Sequence, residues 1–363
     1  MRSLVVNAGS SSLKLRVLDD GAVATTADLS AGSDGIDADG LARFLDGVQV
    51  DAVGHRVVHG GTEFPEPTVL DDDVVDRLHA LTELAPLHQP KSLAGVEAVG
   101  RVLADVPAVA CFDTSFHAGL PAAASTYALP EQWRRRWELR RFGFHGLSHS
   151  YAARRAAELV GEPADGLRVV VCHLGAGASL CAVRDGRSVD TTMGFTPLEG
   201  LVMATRSGSV DPGLVLWLLE QQGLPAAEVA TGLEKQSGLV GLAGTADMEE
   251  VLRRRAEGDA TAALAVDVYV HRLAGQVAAM TASLGGLDVL VFTGGVGEHA
   301  APVRALAAER LGFLGVEVDG GRNEAPDGDS DLSAAGAAVR TLVVTAREDL
   351  EIDRGVRQAL GAR

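Results

Sequence analysis

Short apolar segments alternate with amphipathic segments along most of this chain. Ala108–Phe112, Leu287–Phe292 and Thr341–Val344 have the length and composition of buried strands. Asp71–Leu84 and Leu93–Leu103 carry apolar residues at helical spacing. This alternation predicts an α/β fold, with helices layered on sheets, rather than an all-helical bundle.

The same alternation continues in the second half. One long helix is predicted at Ala260–Leu284, because four of its apolar residues fall on one face at helical spacing: Leu273, Val277, Met280 and Leu284. Shorter helices are predicted at Pro212–Gln222, Ala301–Leu311 and Asp349–Leu360. The tract Asp20–Gly40, rich in Gly, Asp, Ala and Ser, is expected to be a surface loop or an irregular strand.

Two hairpin-like segments resemble each other. Leu4–Gly21 and Val169–Gly186 each contain an apolar strand, a turn of glycine and small residues, a returning apolar strand and a final Asp-Gly. The returning strand of the second is two residues shorter, which keeps every side chain on its own face because strand periodicity is two. The chain is therefore expected to be internally duplicated.

The turns of these hairpins have the chemistry of phosphate sites. In Val5–Lys14 (VVNAGSSSLK) small residues let backbone N–H groups approach a ligand, and the hydroxyls and the lysine add donors. A Gly/Ser turn is also ordinary turn chemistry. Thr293–Glu298 (TGGVGE) stands between a predicted strand and a predicted helix, where helix N–H groups could face an anion. Together the turns suggest a nucleotide held between two similar lobes.

Length, composition and charge limit the classes of function. A chain of 363 residues with 47% hydrophobic residues is expected to form two domains. A formal charge of −17 argues against nucleic acid and anionic membranes as partners. Because the sequence has no run of 18 apolar residues and no signal-peptide pattern at Met1–Asn7, we expect a cytoplasmic protein. Cys111, Cys172 and Cys181 are expected to be buried thiols.

Nine motifs follow one another along the chain: NAGSSSLK (Asn7–Lys14), GHRVVHGG (Gly54–Gly61), LAPLHQP (Leu84–Pro90), FDTSFH (Phe112–His117), FGFHGLSH (Phe142–His149), CHLGAGAS (Cys172–Ser179), TTMGFTPLEGLVMATRSGSVDP (Thr191–Pro212), FTGGVGE (Phe292–Glu298) and the acidic pair Glu348 and Asp349. In this order they resemble the acetokinase (acetate kinase) family over nearly the whole chain. The segment before GHRVVHGG is shorter than is usual in that family.

The resemblance implies an actin/Hsp70/sugar-kinase-like (ribonuclease H-like) α/β fold of two duplicated lobes with a nucleotide cleft between them. It implies an N-terminal lobe at 1–148, joined by a C-terminal helix at 349–363, and a C-terminal lobe at 149–348. The implied activity is a reversible, Mg²⁺-dependent, in-line phosphoryl transfer between ATP and acetate that gives acetyl phosphate and ADP. The family also forms homodimers.

This reaction brings anions together, so it needs cations and donors rather than a base, since a carboxylate is already ionised at pH 7. By resemblance, Arg56 and Arg206 grip carboxylate or phosphoryl oxygens, His145 donates to the migrating group, and Asp113 orients an arginine or a metal-bound water. Other readings are a structural ion pair for each arginine, a packed aromatic-cluster histidine for His145 and a helix N-cap for Asp113.

The remaining site residues are also implied by resemblance. Asn7 and Glu348 are the expected magnesium partners, although Glu348 read alone is a first-turn helix acid. His88 supports the site. An apolar pocket for the acyl methyl group is expected from Val58, Leu87, Phe144 and Pro197. The nucleotide is expected at Ser10, Ser12, Lys14, His173, Leu174, Gly175, Ala176, Gly177, Asp247, Met248, Glu249, Gly294, Gly295, Val296, Gly297 and His299.

Four residues depart from the family pattern: Ala176, Glu249, His299 and Arg347. They leave the choice of nucleotide or phosphoryl donor open. A propionate or butyrate kinase stays an alternative, since one methylene is worth only about 1–3 kcal/mol in such a pocket. The alternative of another class is a non-catalytic nucleotide-binding sensor.

Overall fold

A computed structural model describes residues 1–8, 12–32, 35–85 and 88–362 of the chain. The strands are β1 Arg2–Ala8, β2 Ser12–Asp19, β3 Ala22–Gly32, β4 Gly35–Ile36, β5 Ala52–Val57, β6 Thr68–Val69, β7 Ala108–Phe112, β8 Arg168–Leu174, β9 Ala178–Arg184, β10 Arg187–Thr191, β11 Val289–Thr293, β12 Ser330–Asp331 and β13 Arg340–Val343. The helices are α1 Ala38–Leu45, α2 Asp72–Ala80, α3 Gln89–Val102, α4 Ala122–Ser125, α5 Glu131–Arg136, α6 Gly146–Val160, α7 Pro212–Glu220, α8 Ala226–Lys235, α9 Gly238–Ala243, α10 Met248–Ala256, α11 Ala260–Leu284, α12 Gly294–His299, α13 Ala301–Arg310, α14 Gly320–Glu324 and α15 Glu348–Ala359.

The chain divides into two compact units. Unit 1 consists of Met1–Ala118, Phe144–Tyr151 and Arg347–Arg363. Unit 2 consists of Gly119–Gly143 and Ala152–Ala346. In the part of the chain that is described, no helix is both long and apolar enough to span a bilayer.

Unit 1 contains a seven-stranded sheet in the order β4-β3-β2-β1-β5-β7-β6. Strands β1, β5 and β7 are parallel, whereas β2 and β3 pair antiparallel beside β1. Successive side chains of β1 alternate between two cores: Leu4 and Val6 join the core that includes residues of α1 and α3, and Val5 joins the core that includes Ile352 of α15. Helices therefore cover both faces of the sheet.

Unit 2 contains a six-stranded sheet in the order β10-β9-β8-β11-β13-β12. Strands β8, β11 and β13 are parallel, and β9 and β10 pair antiparallel beside β8. This is the same sequence of pairings as β3-β2-β1-β5-β7-β6, including the short antiparallel last strand. The duplication predicted from the two hairpins is therefore confirmed, and so is the α/β class.

Helix α11 follows the prediction for Ala260–Leu284 residue by residue. Asp259 caps its N-terminus, accepting from the backbone N–H groups of Thr261 and Ala262, and Gly285 ends it with a φ of 71°. The four apolar residues predicted on one face are all buried: Leu273, Val277, Met280 and Leu284.

The structure refines two of the predicted elements. Asp20–Gly40 is mainly the strand β3, one of the two expected conformations, and it pairs with β2 from Ser12↔Ser30 to Asp19↔Ala22 with a register shift between Val17 and Leu18. Its exposed side chains lack a clear apolar alternation, so pairing with a neighbouring strand decides its conformation. Helix α2 ends at Ala80 and continues only as a 3₁₀ turn at Leu81–Leu84.

Candidate functional site

The carboxyl ends of three neighbouring parallel strands bring polar side chains together in unit 1. Asn7 lies near the end of β1, Arg56 near the end of β5, and Asp113 directly after β7. The strands lie side by side in the order β1-β5-β7, and ligands collect at this edge of open α/β sheets. Glu348 begins α15, which packs on the same sheet.

Hydrogen bonds connect these four side chains. Arg56 donates from Nε to Oδ1 of Asp113 at 2.9 Å and from Nη2 to Oδ2 at 2.6 Å, a bidentate pair. Its Nη1 donates to Oδ1 of Asn7 at 3.2 Å. Nδ2 of Asn7 donates to Oε2 of Glu348 at 3.0 Å, and this oxygen lies 4.0 Å from Nε of Arg56. The geometry shows that Arg56 forms an ion pair with Asp113.

Burial and neighbouring charges shift the pKa of Arg56 in opposite directions. Burial by itself lowers the pKa of the guanidinium, but the negative charges of Asp113 and Glu348 outweigh it and raise the pKa above its usual value. The Asp113 side chain is only 2% exposed and that of Arg56 18%. The pair is therefore a fixed, fully charged group, and two of the five N–H bonds of Arg56 have no acceptor among the described residues.

Lys14 lies on the same face of the sheet as Asn7. The two residues are directly opposite each other in the antiparallel β1–β2 pair, and directly opposed residues share a face. The Lys14 side chain is exposed, and Ser12 begins the strand that carries it. Ser10, which was predicted with them, lies outside the described residues.

His145 has a backbone conformation that is uncommon for a residue with a side chain. Its φ is 56°, in the left-handed region, and α6 begins at the next residue. The backbone N–H of Gly146 donates to the carbonyl oxygen of Asp113 at 2.8 Å. The residue that follows His145 therefore contacts the backbone of Asp113 directly. Asp113 does not cap the 3₁₀ helix at Ser115–His117, because its N-cap is Thr114.

The residues predicted to line the acyl pocket are divided between the two units. Val58 and Phe144 are buried in unit 1, with exposed fractions of 7% and 1%. The Phe144 ring packs edge to face on His59, with 5.5 Å between ring centroids. Pro197 belongs to unit 2, and Leu87 lies outside the described residues. His88 is the N-cap residue of α3 in unit 1.

Arg206 lies in a loop of unit 2. Its Nη1 donates to the carbonyl oxygen of Pro197 at 2.6 Å. Burial lowers the pKa of Arg206, and the charge of Glu234 offsets part of this. A guanidinium nevertheless keeps its proton in proteins. Arg206 is therefore a half-buried cation without a bidentate carboxylate partner among the described residues.

A cavity of about 530 Å³ opens in unit 2. Eight of the residues predicted to bind nucleotide line it: Gly175, Ala176, Asp247, Met248, Glu249, Gly295, Val296 and His299. Five others in unit 2 do not: His173, Leu174, Gly177, Gly294 and Gly297. Leu174 is fully buried at the end of β8. The volume lies in the range of small-molecule sites.

The Gly-rich turn at the end of β11 is the start of helix α12. Gly294 has a φ of 76°, and a Cβ there would lie 2.9 Å from the carbonyl oxygen of Leu174, so strand and helix approach too closely for a side chain. The N–H of Gly294 donates to Oε1 of Glu298 at 3.0 Å. This N–H is thus bonded to a carboxylate of its own helix rather than exposed to a bound anion.

Arg347, one of the departures from the family pattern, has a partner within unit 1. It donates from Nε to Oδ1 of Asp349 at 2.9 Å and from Nη2 to Oδ2 at 2.8 Å. Asp349 also lies 3.1 Å from Nη1 of Arg16. Burial raises the pKa of this carboxyl, but the two arginines outweigh it and lower the pKa below its usual value. Arg347 therefore extends an ion-pair network.

Seven residues of the cavity lining were not predicted from the sequence: Ala204, Leu239, Ala246, Leu252, Tyr269, Ala300 and Pro302. Six are apolar or nearly so, and nothing in their local sequence distinguishes them from core residues. Tyr269 is different because it carries a polar atom. Its position on the long helix α11 indicated packing, and only the fold places it at the cavity.

Comparison with known proteins gives one consistent result. The model of the acetokinase family matches residues 39–354. Acetate kinase from Nostoc punctiforme is 46% identical over 325 residues, which are 89% of this chain and 80% of the relative. The crystal structure of acetate kinase from Porphyromonas gingivalis has a TM-score of 0.89 at 34% identity, covering 99% of both chains. A propionate kinase from Francisella tularensis has a TM-score of 0.89 at 33% identity, covering 98% of both. The resemblance carried by the nine motifs is therefore confirmed, and the chain belongs to the acetokinase family.

Proposed function

We propose that this protein is an acetate kinase, which transfers a phosphoryl group reversibly between ATP and acetate to give acetyl phosphate and ADP. Family membership supports this reaction. The structural observation that carries the proposal is the bidentate Arg56–Asp113 pair with Asn7 and Glu348 at the carboxyl edge of three parallel strands. The same edge is where ligands collect in open α/β sheets.

Arg56 orients the attacking carboxylate. Asp113 holds its guanidinium rigidly, and two N–H bonds stay available for acetate oxygens. Acetate is ionised at neutral pH, so no general base has to remove a proton before attack. The pair thus positions a nucleophile and offsets its charge, which is most of what phosphoryl transfer requires from a protein.

Arg206 and His145 donate to the oxygens of the migrating group. Charge spreads over those oxygens in the transition state, so donors fixed in advance stabilise it more than they stabilise the ground state. The hydrogen bond to Pro197 holds Arg206 from one side, and the Gly146–Asp113 contact holds the backbone next to His145.

Asn7 and Glu348 fit a magnesium ion by their chemistry. Both supply oxygen atoms, which Mg²⁺ prefers, and Mg²⁺ takes one or two protein oxygens together with phosphate oxygens and water. No group of three or more His, Cys, Asp or Glu able to enclose a metal occurs among the described residues. Asn7 and Glu348 would hold the ion, which when bound offsets phosphate charge.

The nucleotide occupies the unit 2 cavity. Its lining is largely apolar, which suits a flat base. Glycines and alanines at Gly175, Ala176 and Gly295 leave the backbone accessible. The exposed carboxylate of Glu249 lines this cavity. It can accept hydrogen bonds from a nucleotide but cannot donate any, so it influences which nucleotide binds.

The direct test is formation of acetohydroxamate from acetate, ATP, Mg²⁺ and hydroxylamine. We expect acetohydroxamate to form only when acetate, ATP, hydroxylamine and Mg²⁺ are all present. ADP binding by calorimetry without hydroxamate formation would instead support the non-catalytic sensor. A panel of ATP, GTP and pyrophosphate in the same assay identifies the phosphoryl donor.

Propionate is a second candidate substrate, because the propionate kinase structure is as similar as the acetate kinase structure. One added methylene changes kcat/KM by roughly 10- to 200-fold at most in an apolar pocket. Initial rates with acetate, propionate and butyrate give the order of preference. A higher kcat/KM for propionate would replace acetate in the proposal.

We further propose that the protein forms a homodimer through α7. In this described helix no residue is buried, although Leu214, Leu216 and Trp217 are 46%, 54% and 49% exposed. Val210, before the helix, is also exposed. An apolar helix without cover in the single chain is typical of an interface, and a second copy is the partner that the family resemblance implies.

A further inference from the structure

Two hydrogen bonds hold the backbone on either side of His145, and both come from one short segment of unit 1. Nε2 of His117 lies 3.1 Å from the carbonyl oxygen of Phe144, the residue before His145. The N–H of Gly146, the residue after it, donates to the carbonyl oxygen of Asp113 at 2.8 Å. The segment that supplies the ion-pair partner of Arg56 therefore also holds the backbone of His145.

His117 is the donor in the first of these bonds. A carbonyl oxygen can only accept, so the hydrogen has to be on Nε2. Burial lowers the pKa of His117 to about 4, although the bond to Phe144 opposes this shift. The imidazole is therefore neutral at ordinary pH, and its single N–H is the one that Phe144 accepts.

The two bonds restrain both backbone dihedral angles of His145. Each peptide unit is planar, so the bond to the carbonyl oxygen of Phe144 restrains the plane that ends at the nitrogen of His145. The bond from Gly146 restrains the plane that begins at the carbonyl carbon of His145. Because φ and ψ are the rotations of these two planes about Cα, the bonds set the direction of the Cα–Cβ bond.

His145 needs such restraint because its φ of 56° is unfavourable for a residue with a side chain. A conformation of this kind persists only where its surroundings determine it. Without the bond to Phe144, the peptide can rotate, and the imidazole of His145 turns with it. His117 is itself completely buried, and its ring packs edge to face on that of His149 with 5.7 Å between centroids. It can therefore act only through the residues that it contacts.

We propose that His117 is a positioning residue for His145: its Nε2–H holds the Phe144–His145 peptide in the orientation that donation to the migrating phosphoryl group requires. This inference rests on the proposed function, since it needs His145 to act on that group. It assigns no contact between His117 and a substrate.

The first test is His117→Phe, which keeps a ring in the core but removes the donor. We expect kcat for acetohydroxamate formation to fall roughly 10- to 100-fold, the effect of a misplaced catalytic group. The KM values for acetate and ATP are expected to stay unchanged, because His145 is proposed to act mainly in the transition state. An unchanged kcat in the folded variant, or a loss expressed only in KM, would overturn the proposal.

His117→Gln and His117→Asn separate the hydrogen bond from polarity and burial. Both place an amide in the same core, but only the longer glutamine carries its N–H as far as Nε2 of histidine. We expect His117→Gln to regain most of the kcat and His117→Asn to stay as low as His117→Phe. Equal kcat values in the two amide variants would overturn the proposal. This pair also carries the test if His117→Phe does not fold.

A double-variant cycle shows whether His117 acts through His145. In a His145→Ala background the imidazole to be positioned is absent, so adding His117→Phe is expected to cause no further loss of kcat. A residue with a merely structural role would lower kcat by the same factor in both backgrounds, and this result would exclude the positioning role.

His55→Phe is the matched control. His55 is also buried, at 1% exposed, neither of its ring nitrogens has a partner in the described part of the chain, and it alternates with Arg56 across the faces of β5. We expect it to keep its kcat, and a loss as large as that of His117→Phe would make the effect one of any buried histidine. If the unsubstituted protein formed no acetohydroxamate, the proposed function itself would fail, a result distinct from normal formation that ignores His117.

Discussion

The backbone N–H of Gly146 donates to the carbonyl oxygen of Asp113 at 2.8 Å, and a Cβ at position 146 would lie only 2.3 Å from that oxygen. This contact joins the motif Phe112–His117 to the motif Phe142–His149. His145, whose backbone is in the left-handed region, is therefore close in the chain to a residue that contacts Asp113, the ion-pair partner of Arg56.

The first prediction follows from this close approach. Gly146→Ala forces the two backbones apart, and we expect a loss of about 1–3 kcal/mol in the free energy of unfolding. Displacement of His145 is expected to lower kcat by up to about 10²-fold. Gly100→Ala is the control, because an added Cβ there meets nothing within 4 Å and an exposed helical glycine gains stability as alanine. A Gly146→Ala enzyme with the original Tm and kcat would contradict the contact.

The second prediction separates the stability of the Arg56–Asp113 pair from its role in activity. Arg56→Met leaves Asp113 buried without its countercharge, so we expect a loss of about 3–5 kcal/mol. The double variant Arg56→Met/Asp113→Leu removes both charges and is expected to regain most of that stability. Neither variant is expected to form acetohydroxamate. Activity in the stable double variant would exclude the proposed role of Arg56.

The third prediction concerns Arg206. Arg206→Ala removes a donor to the migrating group, and we expect kcat to fall by about 10²–10³-fold. The Tm is expected to change little, since the side chain has one hydrogen bond to a backbone carbonyl. Arg206→Lys keeps the charge but not the fork of donors, so an intermediate kcat is expected. Equal turnover of Arg206→Ala and the unsubstituted enzyme would exclude the assignment.

The fourth prediction is a loss of stability in acid that involves His55. Burial lowers the pKa of His55 from 6.5 to about 3, and neither ring nitrogen has a partner among the described residues. As the pH falls below about 6.5, the unfolded chain binds a proton before the folded chain does. Stability is therefore full above this pH and falls, by up to about 1.4 kcal/mol per pH unit for this residue, as the pH drops towards 3.

Denaturant unfolding between pH 7.5 and 4.5 measures this slope. His55→Leu is expected to reduce it, and His271→Gln, at an exposed position of α11, serves as the control. His59 and His117 keep part of the slope in both variants, because burial lowers the pKa of each to about 4. An unchanged slope in His55→Leu would show that His55 is not the group concerned.

The fifth prediction tests the proposed interface. Trp217→Glu places a charge on the exposed apolar face of α7 and is expected to convert a dimer into a monomer. Light scattering after gel filtration measures the mass. Trp137→Glu is the control, since Trp137 is equally exposed, at 52%, but lies outside α7. A dimer that survives Trp217→Glu would exclude α7 as the contact.

The sequence by itself determined the local elements and the kind of chemistry. Apolar runs set strands β7, β11 and β13 to within one or two residues, and helical spacing set the buried face of α11, because both signals come from periodicity within a short segment. The two similar hairpins indicated the duplication before any pairing was known. The family resemblance carried by the motifs pointed to Arg56, Arg206 and the cavity residues around Gly175 and Glu249.

Only the tertiary structure decided which of these groups meet. Asn7 and Glu348, which are 341 residues apart, become hydrogen-bonded because β1 lies beside β5 and α15 packs on that sheet. Strand order and helix docking are not encoded in local periodicity. For the same reason β3 was predicted only as a surface loop or an irregular strand, and Tyr269 was not predicted at the cavity. Each depends on a neighbour that is distant in sequence, and that neighbour is supplied by packing of the whole unit.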